Sequence, residues 1–416
     1  MNLVLHRLLT WRPGGYLRAS GGLFGWLLLR AAAQAAMVVL LARVLGVEGY
    51  GLFVTALAVS GFFSPIAGLG LGGLLLRDGA REPAALPRQL GMALALWWPA
   101  ALVCSAAATA LLAWSLPSRI PLAALAAFAL AEIGAASFLE LAARVEQARH
   151  RVGAFGAILA GMILARLAAL LLYAALGAVD PVGWLWVYAA SSAIYAAFLA
   201  RRLVAGHRPL WPQKRDWRMA RESFPFTIGA LSFRLQAEFN KPLLARASYG
   251  QAGSFSVAQR AVDLASLPLQ ALQEALWPRL YREKNFGRRL YISGSVLILL
   301  AMGTGVALVW GAPLLPHLLG QEFEASAALL SALAWLPTVQ VLRNLINYPL
   351  TLPGNSHLLG WVYGSGAVLS VAMTTILIAA FGTQGAIMAM YANEIGLIAL
   401  LLAAHWLWRA RTSTVG

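Results

Sequence analysis

The chain has 416 residues, of which 60% are apolar and 12% charged, and it carries a formal net charge of +16. A soluble globular protein has about 25% charged and roughly 45–50% apolar residues, so this composition excludes a water-soluble enzyme and requires lipid as solvent. One cysteine, Cys104, excludes disulfides and any cysteine-based metal cluster.

A helix needs about 20 apolar residues to cross ~30 Å of hydrocarbon, and that rule predicts twelve spans. The first, 20–43, follows a basic stretch with Arg7, Arg12 and Arg18. It exceeds a signal-peptide core and lacks a clear cleavage site, so it is read as a retained span. Spans two to six are expected at 50–75, 89–115, 121–145, 152–177 and 182–203. Within the second, Gly68, Gly70 and Gly73 match a dinucleotide fingerprint, but that motif needs a preceding strand. Close helix packing through Gly68 and Gly72 is expected instead. The longest and most basic connection, Arg201–Glu222, follows and holds Pro209 and Pro212. Spans seven to twelve are expected at 222–247, 251–278, 289–312, 325–350, 357–381 and 383–408. This divides the chain into an N-terminal six-helix bundle (1–203), a basic cytoplasmic linker (204–221) and a C-terminal six-helix bundle (222–416).

With the N-terminus inside, 23 of the 32 Lys and Arg fall in cytoplasmic segments, and only Arg43, Arg119 and Arg246 fall in outer connections. That bias places both termini in the cytoplasm. It also explains the basic charge without nucleic acid; the linker's charges suit the inner leaflet.

The halves repeat at a fixed offset. Leu41-Ala42-Arg43 answers Leu244-Ala245-Arg246, Gly51 and Phe53 answer Gly253 and Phe255, Pro65 lies near the counterpart of Pro268, and Arg77 answers Arg279. The offsets are about 202. Odd spans match odd spans, so the repeats run parallel, related by a pseudo-two-fold axis along the membrane normal. Such repeats place a substrate between two bundles that rock against each other.

The stretch Leu41-Ala-Arg-Val-Leu-Gly-Val-Glu-Gly-Tyr-Gly-Leu-Phe53, followed by Gly68-Leu-Gly-Leu-Gly72, resembles polysaccharide-repeat flippases of the Wzx type. These form a branch of the multidrug/oligosaccharidyl-lipid/polysaccharide exporter superfamily. Ala252–Ala258, Leu276-Trp277-Pro278-Arg279-Leu280 and Gly320-Gln-Glu-Phe-Glu324 resemble it as well. The resemblance implies an all-α membrane protein with about 12 helices in two six-helix bundles. It implies a bacterial inner-membrane flippase that carries an undecaprenyl-pyrophosphate-linked oligosaccharide, an O-antigen or exopolysaccharide unit, to the periplasmic leaflet. The flippase would act as a monomer beside a polysaccharide polymerase and a chain-length regulator.

An ionisable side chain at the bilayer centre costs roughly 2.5–3.5 kcal/mol on insertion scales, so each needs a reason. Arg30, Arg166, Arg234, Lys241, Arg260 and Arg343 are matched in number by Glu132, Glu140, Glu238, Asp263, Glu274 and Glu394. Mutual ion pairing therefore competes with function. Arg234, Glu238 and Lys241 share one face of the seventh span, and Arg260, Asp263, Gln270 and Glu274 form a stripe on the eighth. Arg30 has no acid beside it on its own span. Arg30, Arg234, Lys241 and Arg260 are the candidates for holding a pyrophosphate, because a guanidinium fork bonds phosphate in bidentate fashion. Glu238 and Asp263 are candidates to carry a coupling H⁺ or Na⁺; equally, Glu238 could neutralise Arg234 and Asp263 could neutralise Arg260. Arg166, Glu132, Arg343 and Glu394 are read as structural, and Glu140 as a local partner of Arg144.

No cofactor, metal site or catalytic motif is expected. The six histidines are scattered, and no GxxxxGK[ST] loop would bind ATP. A cation-drug antiporter would want an acid-rich cavity, which Arg30 disfavours. A lipid II flippase is a near relative of the favoured reading. A membrane glycosyl- or acyltransferase ranks below both, since the outer loops are short and nearly uncharged.

Overall fold

The computed structural model describes residues 15–116, 120–210, 218–280, 286–351 and 356–413. Arg7, Arg12, Arg119, Lys214, Arg215, Arg282, Lys284 and the centre of the basic linker lie outside the described residues. The described chain is helical, with no strand among the described residues.

The helices are α1 (Gly15–Gly68), α2 (Leu71–Arg81), α3 (Leu86–Ser115), α4 (Leu122–Ala129), α5 (Ala136–Ala148), α6 (Val152–Ala175) and α7 (Pro181–His207), then α8 (Arg218–Glu238), α9 (Asn240–Ala245), α10 (Tyr249–Leu280), α11 (Phe286–Gly311), α12 (Leu315–Leu319), α13 (Glu324–Leu333), α14 (Leu336–Asn347) and α15 (Ser356–Ser413). They supply the twelve spans, but two helices carry two spans each. α1 is broken at Gly46 (φ 66°, ψ 177°) and α15 at Gly382 (φ 56°, ψ −128°). Positive φ at both sites favours glycine, and each break separates two crossings.

Elsewhere one span is made of two helices. Pro242 removes an N–H and clashes with the carbonyl four residues back, at Glu238, where α8 stops. Pro337 stands in the same relation to Leu333, the end of α13. Span four passes through a π-helical turn at Leu130–Ala135. Span two does not continue smoothly to residue 75: Leu69 (φ 48°) and Gly70 (φ 63°) separate α1 from α2. Its glycines thus make a helix break as well as a packing surface. A Cβ on Gly72 would lie 3.2 Å from Arg144 Cγ on α5.

Eight stretches among the described residues are long and apolar enough to cross a membrane; Gly25–Arg81 and Gly360–Trp406 each hold two crossings. Spans seven and eight, which carry the polar and charged stripes, are not in that set. Trp114, Trp310, Trp361 and Trp406 lie exposed near span ends, as expected of an aromatic belt.

The repeat has a geometric counterpart. A Cβ on Gly51 would lie 1.7 Å from the Tyr249 carbonyl oxygen, and one on Gly253 would lie 2.5 Å from the Val47 carbonyl oxygen. Gly51 and Gly253 are 202 apart, and so are Val47 and Tyr249. Reciprocal contacts of this kind mark a two-fold axis, here between spans two and eight. The same end is tied by polar bonds: Glu322 Oε2 accepts from the Val47 N–H at 3.1 Å, and Glu48 Oε1 accepts from Ser248 Oγ at 3.3 Å. Arg43 Nη2 donates to the His317 carbonyl at 3.3 Å. Beneath this closure, Phe53, Phe128, Trp184 and Tyr188 pack edge to face in the N-terminal core.

Candidate functional site

α8, α9 and α10 bring four of the sequence candidates into one network. Lys241 is 1% exposed, and its Nζ donates to Glu238 Oε2. Glu238 Oε1 accepts from Arg260 Nη2 at 3.2 Å, and Arg260 Nη1 lies 3.9 Å from Asp263 Oδ2. Glu238 therefore bonds directly to Lys241 and Arg260, on two different helices, while Arg234 one turn away acts on it only at longer range. Breaking such a buried set by removing one member leaves an uncompensated charge. Asp263 is the open end of the network, with a side chain 48% exposed.

Arg30 and Arg234 stand apart from it. Neither has a carboxylate within 4.0 Å among the described residues. They come near enough for their charges to repel. Arg234 Nη1 lies 3.8 Å from the position of a Cβ on Gly61, in span two, so it points across to the N-terminal half. Two half-buried guanidiniums without a carboxylate in salt-bridge contact form a cationic surface between the halves.

A second surface lies on the other side of α8. A cavity of about 870 Å³ is enclosed by α8, α10, α14 and both arms of α15. Its walls carry amides and hydroxyls, among them Ser232, Gln236, Gln259, Gln273 and Asn393, and one ion pair, Arg343–Glu394 at 2.9 Å.

The family model of the polysaccharide biosynthesis proteins matches residues 23–283. The chain belongs to that family. No curated protein sequence matches it. Among solved structures it is similar to an inward-facing multidrug resistance MATE family transporter of the MOP superfamily (13% identity, TM-score 0.74, covering 93% of this chain and 96% of that one). It is also similar to the lipid II flippase MurJ in an inward closed conformation (13% identity, TM-score 0.73, 93% and 87% coverage). A MATE protein in the straight conformation is more distant (13% identity, TM-score 0.60, 95% of each chain). This polysaccharide biosynthesis family member thus has the twelve-helix, two-bundle transporter fold, and its structural neighbours are transporters and flippases.

The remaining intramembrane charges of this family member pair with each other. Arg166 Nη2 lies 3.3 Å from Glu132 Oε2, its Nε donates to Ser192 Oγ at 2.9 Å, and its guanidinium covers the Tyr188 ring. Glu140 lies 3.7 Å from Arg144. The side chain of Glu274 lies outside the described residues. Attention to charge alone missed Gln259, Ser266 and Gln273. Their signal was present: with Asp263 and Gln270 they recur on one helical face of span eight.

Proposed function

We propose that this chain is a flippase for an undecaprenyl-pyrophosphate-linked oligosaccharide, the repeat unit of an O-antigen or exopolysaccharide. The observation that carries this reading is the Arg30–Arg234 pair, two guanidiniums without a carboxylate partner between the bundles. A pyrophosphate satisfies such a pair through charge-assisted, bidentate bonds. Arg260 supports the site from the edge of the ion network, whereas Lys241 contributes charge from inside it. A cation-drug site would need the opposite sign.

The Lys/Arg bias orients the closed end, with Arg43 and Glu322, toward the periplasm. The polar cavity then lies toward the cytoplasm of the inner membrane, where the lipid-linked substrate is made, and rocking of the halves would release it outside. Asp263, at the open end of the network, is the acid placed to couple that motion to H⁺ or Na⁺. A polysaccharide polymerase and a chain-length regulator would act on the exported unit.

Arg30→Ala and Arg234→Ala should leave protein abundance unchanged and abolish export of surface glycan, measured in the same cells. Arg→Lys at either position should restore export only in part, because the ammonium lacks the planar fork. Normal glycan at normal abundance in both alanine variants would refute the reading.

A further inference from the structure

The cavity behind α8 has a chemistry of its own. Along α10, Gln259, Asp263, Ser266, Gln270 and Gln273 recur at i, i+4, i+7, i+11 and i+14 and all face it. Its volume of about 870 Å³ falls near the top of the ~300–1,000 Å³ range of organic-ligand sites, far beyond what an ion requires. Its charges are internally matched: Arg343 lies on Glu394 at 2.9 Å, and Asp263 faces Arg260 at 3.9 Å.

The amides in this wall are held at one end and unpaired, though buried, at the other. Gln259 is 3% and Gln273 4% exposed. Gln259 Nε2 donates to the Ala237 carbonyl at 2.8 Å, and its Oε1 has no partner. Gln273 Oε1 accepts from Asn344 Nδ2 at 2.9 Å, and its Nε2 has none. On the last span, Asn393 Nδ2 donates to Thr374 Oγ1 at 3.4 Å, leaving Oδ1 unpartnered. Buried polar atoms are nearly always satisfied, and each exception calls for an explanation. Side-chain rotation that turns these atoms into the cavity would pair them with a ligand. Two unpaired acceptors and one unpaired donor, two of them along one face of α10 and one on the second arm of α15, match the hydroxyls of a sugar, each of which both donates and accepts. Tyr363, also on the wall, is an aromatic residue of the kind that stacks on the C–H face of a pyranose.

We propose that this cavity is a saccharide subsite, which takes an uncharged sugar of the lipid-linked glycan while Arg30 and Arg234 hold its pyrophosphate. The proposal rests on the flippase reading above. α8 separates the two subsites, with Arg234 on one side and Ser232 and Gln236 on the other, so the substrate would straddle that helix.

The test compares two probes on the purified full chain in lipid nanodiscs. One is undecaprenyl pyrophosphate; the other is the lipid-linked oligosaccharide accumulated by cells deleted for this chain. The unaltered chain should bind the glycosylated lipid at least tenfold more tightly. Gln273→Met keeps the shape and removes the amide's donor and acceptor, and it lies more than three turns from Arg260. It should lower affinity for the glycosylated lipid several-fold and leave the bare lipid unchanged. Asn393→Leu, on a different helix, should do the same, and it provides an independent readout if Gln273→Met lowers abundance. Arg30→Ala should weaken both probes alike. Equal binding of the two probes by the unaltered chain, or parallel losses of both in the amide variants, would overturn the subsite and leave the flippase reading intact. Failure of the unaltered chain to bind either probe would sink both.

Discussion

Gly51→Ala tests whether the closure between spans two and eight governs access to the central site. The added methyl would stand 1.7 Å from the Tyr249 carbonyl oxygen, against an ordinary van der Waals contact of 3.4–4 Å. Relief requires the two backbones to part by more than 1 Å, since the obstructing atom is main chain and cannot rotate away. Overpacking of this kind costs roughly 1–3 kcal/mol, which corresponds to a shift of roughly 5- to 150-fold between two conformations. The cost falls on the conformation in which this end is shut. Gly253→Ala meets Val47 at 2.5 Å, so its effect should have the same sign and be smaller. The assay uses Ser256→Cys, a buried position (1% exposed) one turn beyond Gly253, in a Cys104→Ser background. Labelling by an impermeant thiol reagent should be slow in that chain, at least fivefold faster with Gly51→Ala, and intermediate with Gly253→Ala. Unchanged labelling at unchanged abundance would show that the glycine contact does not hold the end closed.

Two shorter predictions address orientation and the ion network. A cysteine at Gly311, where nothing crowds an added side chain, should react with an impermeant reagent in intact cells, whereas one at Gly206, equally open, should react only after lysis; the reverse pattern would invert the flipping direction. Lys241→Met removes the buried ammonium partner of Glu238 and should lower stability by about 3–5 kcal/mol, as for other broken buried pairs, read as a fall in membrane-extracted protein. Lys241→Met with Glu238→Gln should recover much of that loss, and equal abundance of the single variant and the unaltered chain would refute a structural role for the pair.

The spans were legible because hydrophobic length is a one-dimensional property. The interruption of apolar runs marks 43–50 and 381–383 as turns, and Gly46 and Gly382 occupy them with positive φ. The repeat was legible for the same reason, as a register between two stretches of one chain. Ion-pair partners were not, except where they lie on one helix. Glu140 with Arg144 and Asp263 with Arg260 follow from spacing. Arg166 with Glu132, Arg343 with Glu394 and Arg260 with Glu238 join different helices, and no periodicity within one span encodes which neighbour it meets. At Glu238 the i+4 rule was incomplete, since Lys241, beyond the α8 break at Phe239, and Arg260 of α10 bond its carboxylate directly.

The two-fold relation holds for the backbone and fails for the charges. At offsets of 202–203, Arg234 corresponds to Ala31 or Ala32, Glu238 to Ala35 or Ala36, Lys241 to Val38 or Val39, Arg260 to Ala58 and Asp263 to Gly61. Where the C-terminal half carries ions, the N-terminal half carries small apolar residues. The asymmetry has a spatial consequence at Gly61: the place an acid would occupy in a symmetric pair is open, and Arg234 reaches to within 3.8 Å of it. A carboxylate there would neutralise the guanidinium, as Asp263 and Glu238 neutralise Arg260. With glycine instead, Arg234 has no carboxylate in salt-bridge contact, and Arg30 of the N-terminal half lies near it. Parallel repeats supply the rocking frame, which needs matched backbones. The proposed anion site draws its charge from positions where the two halves differ.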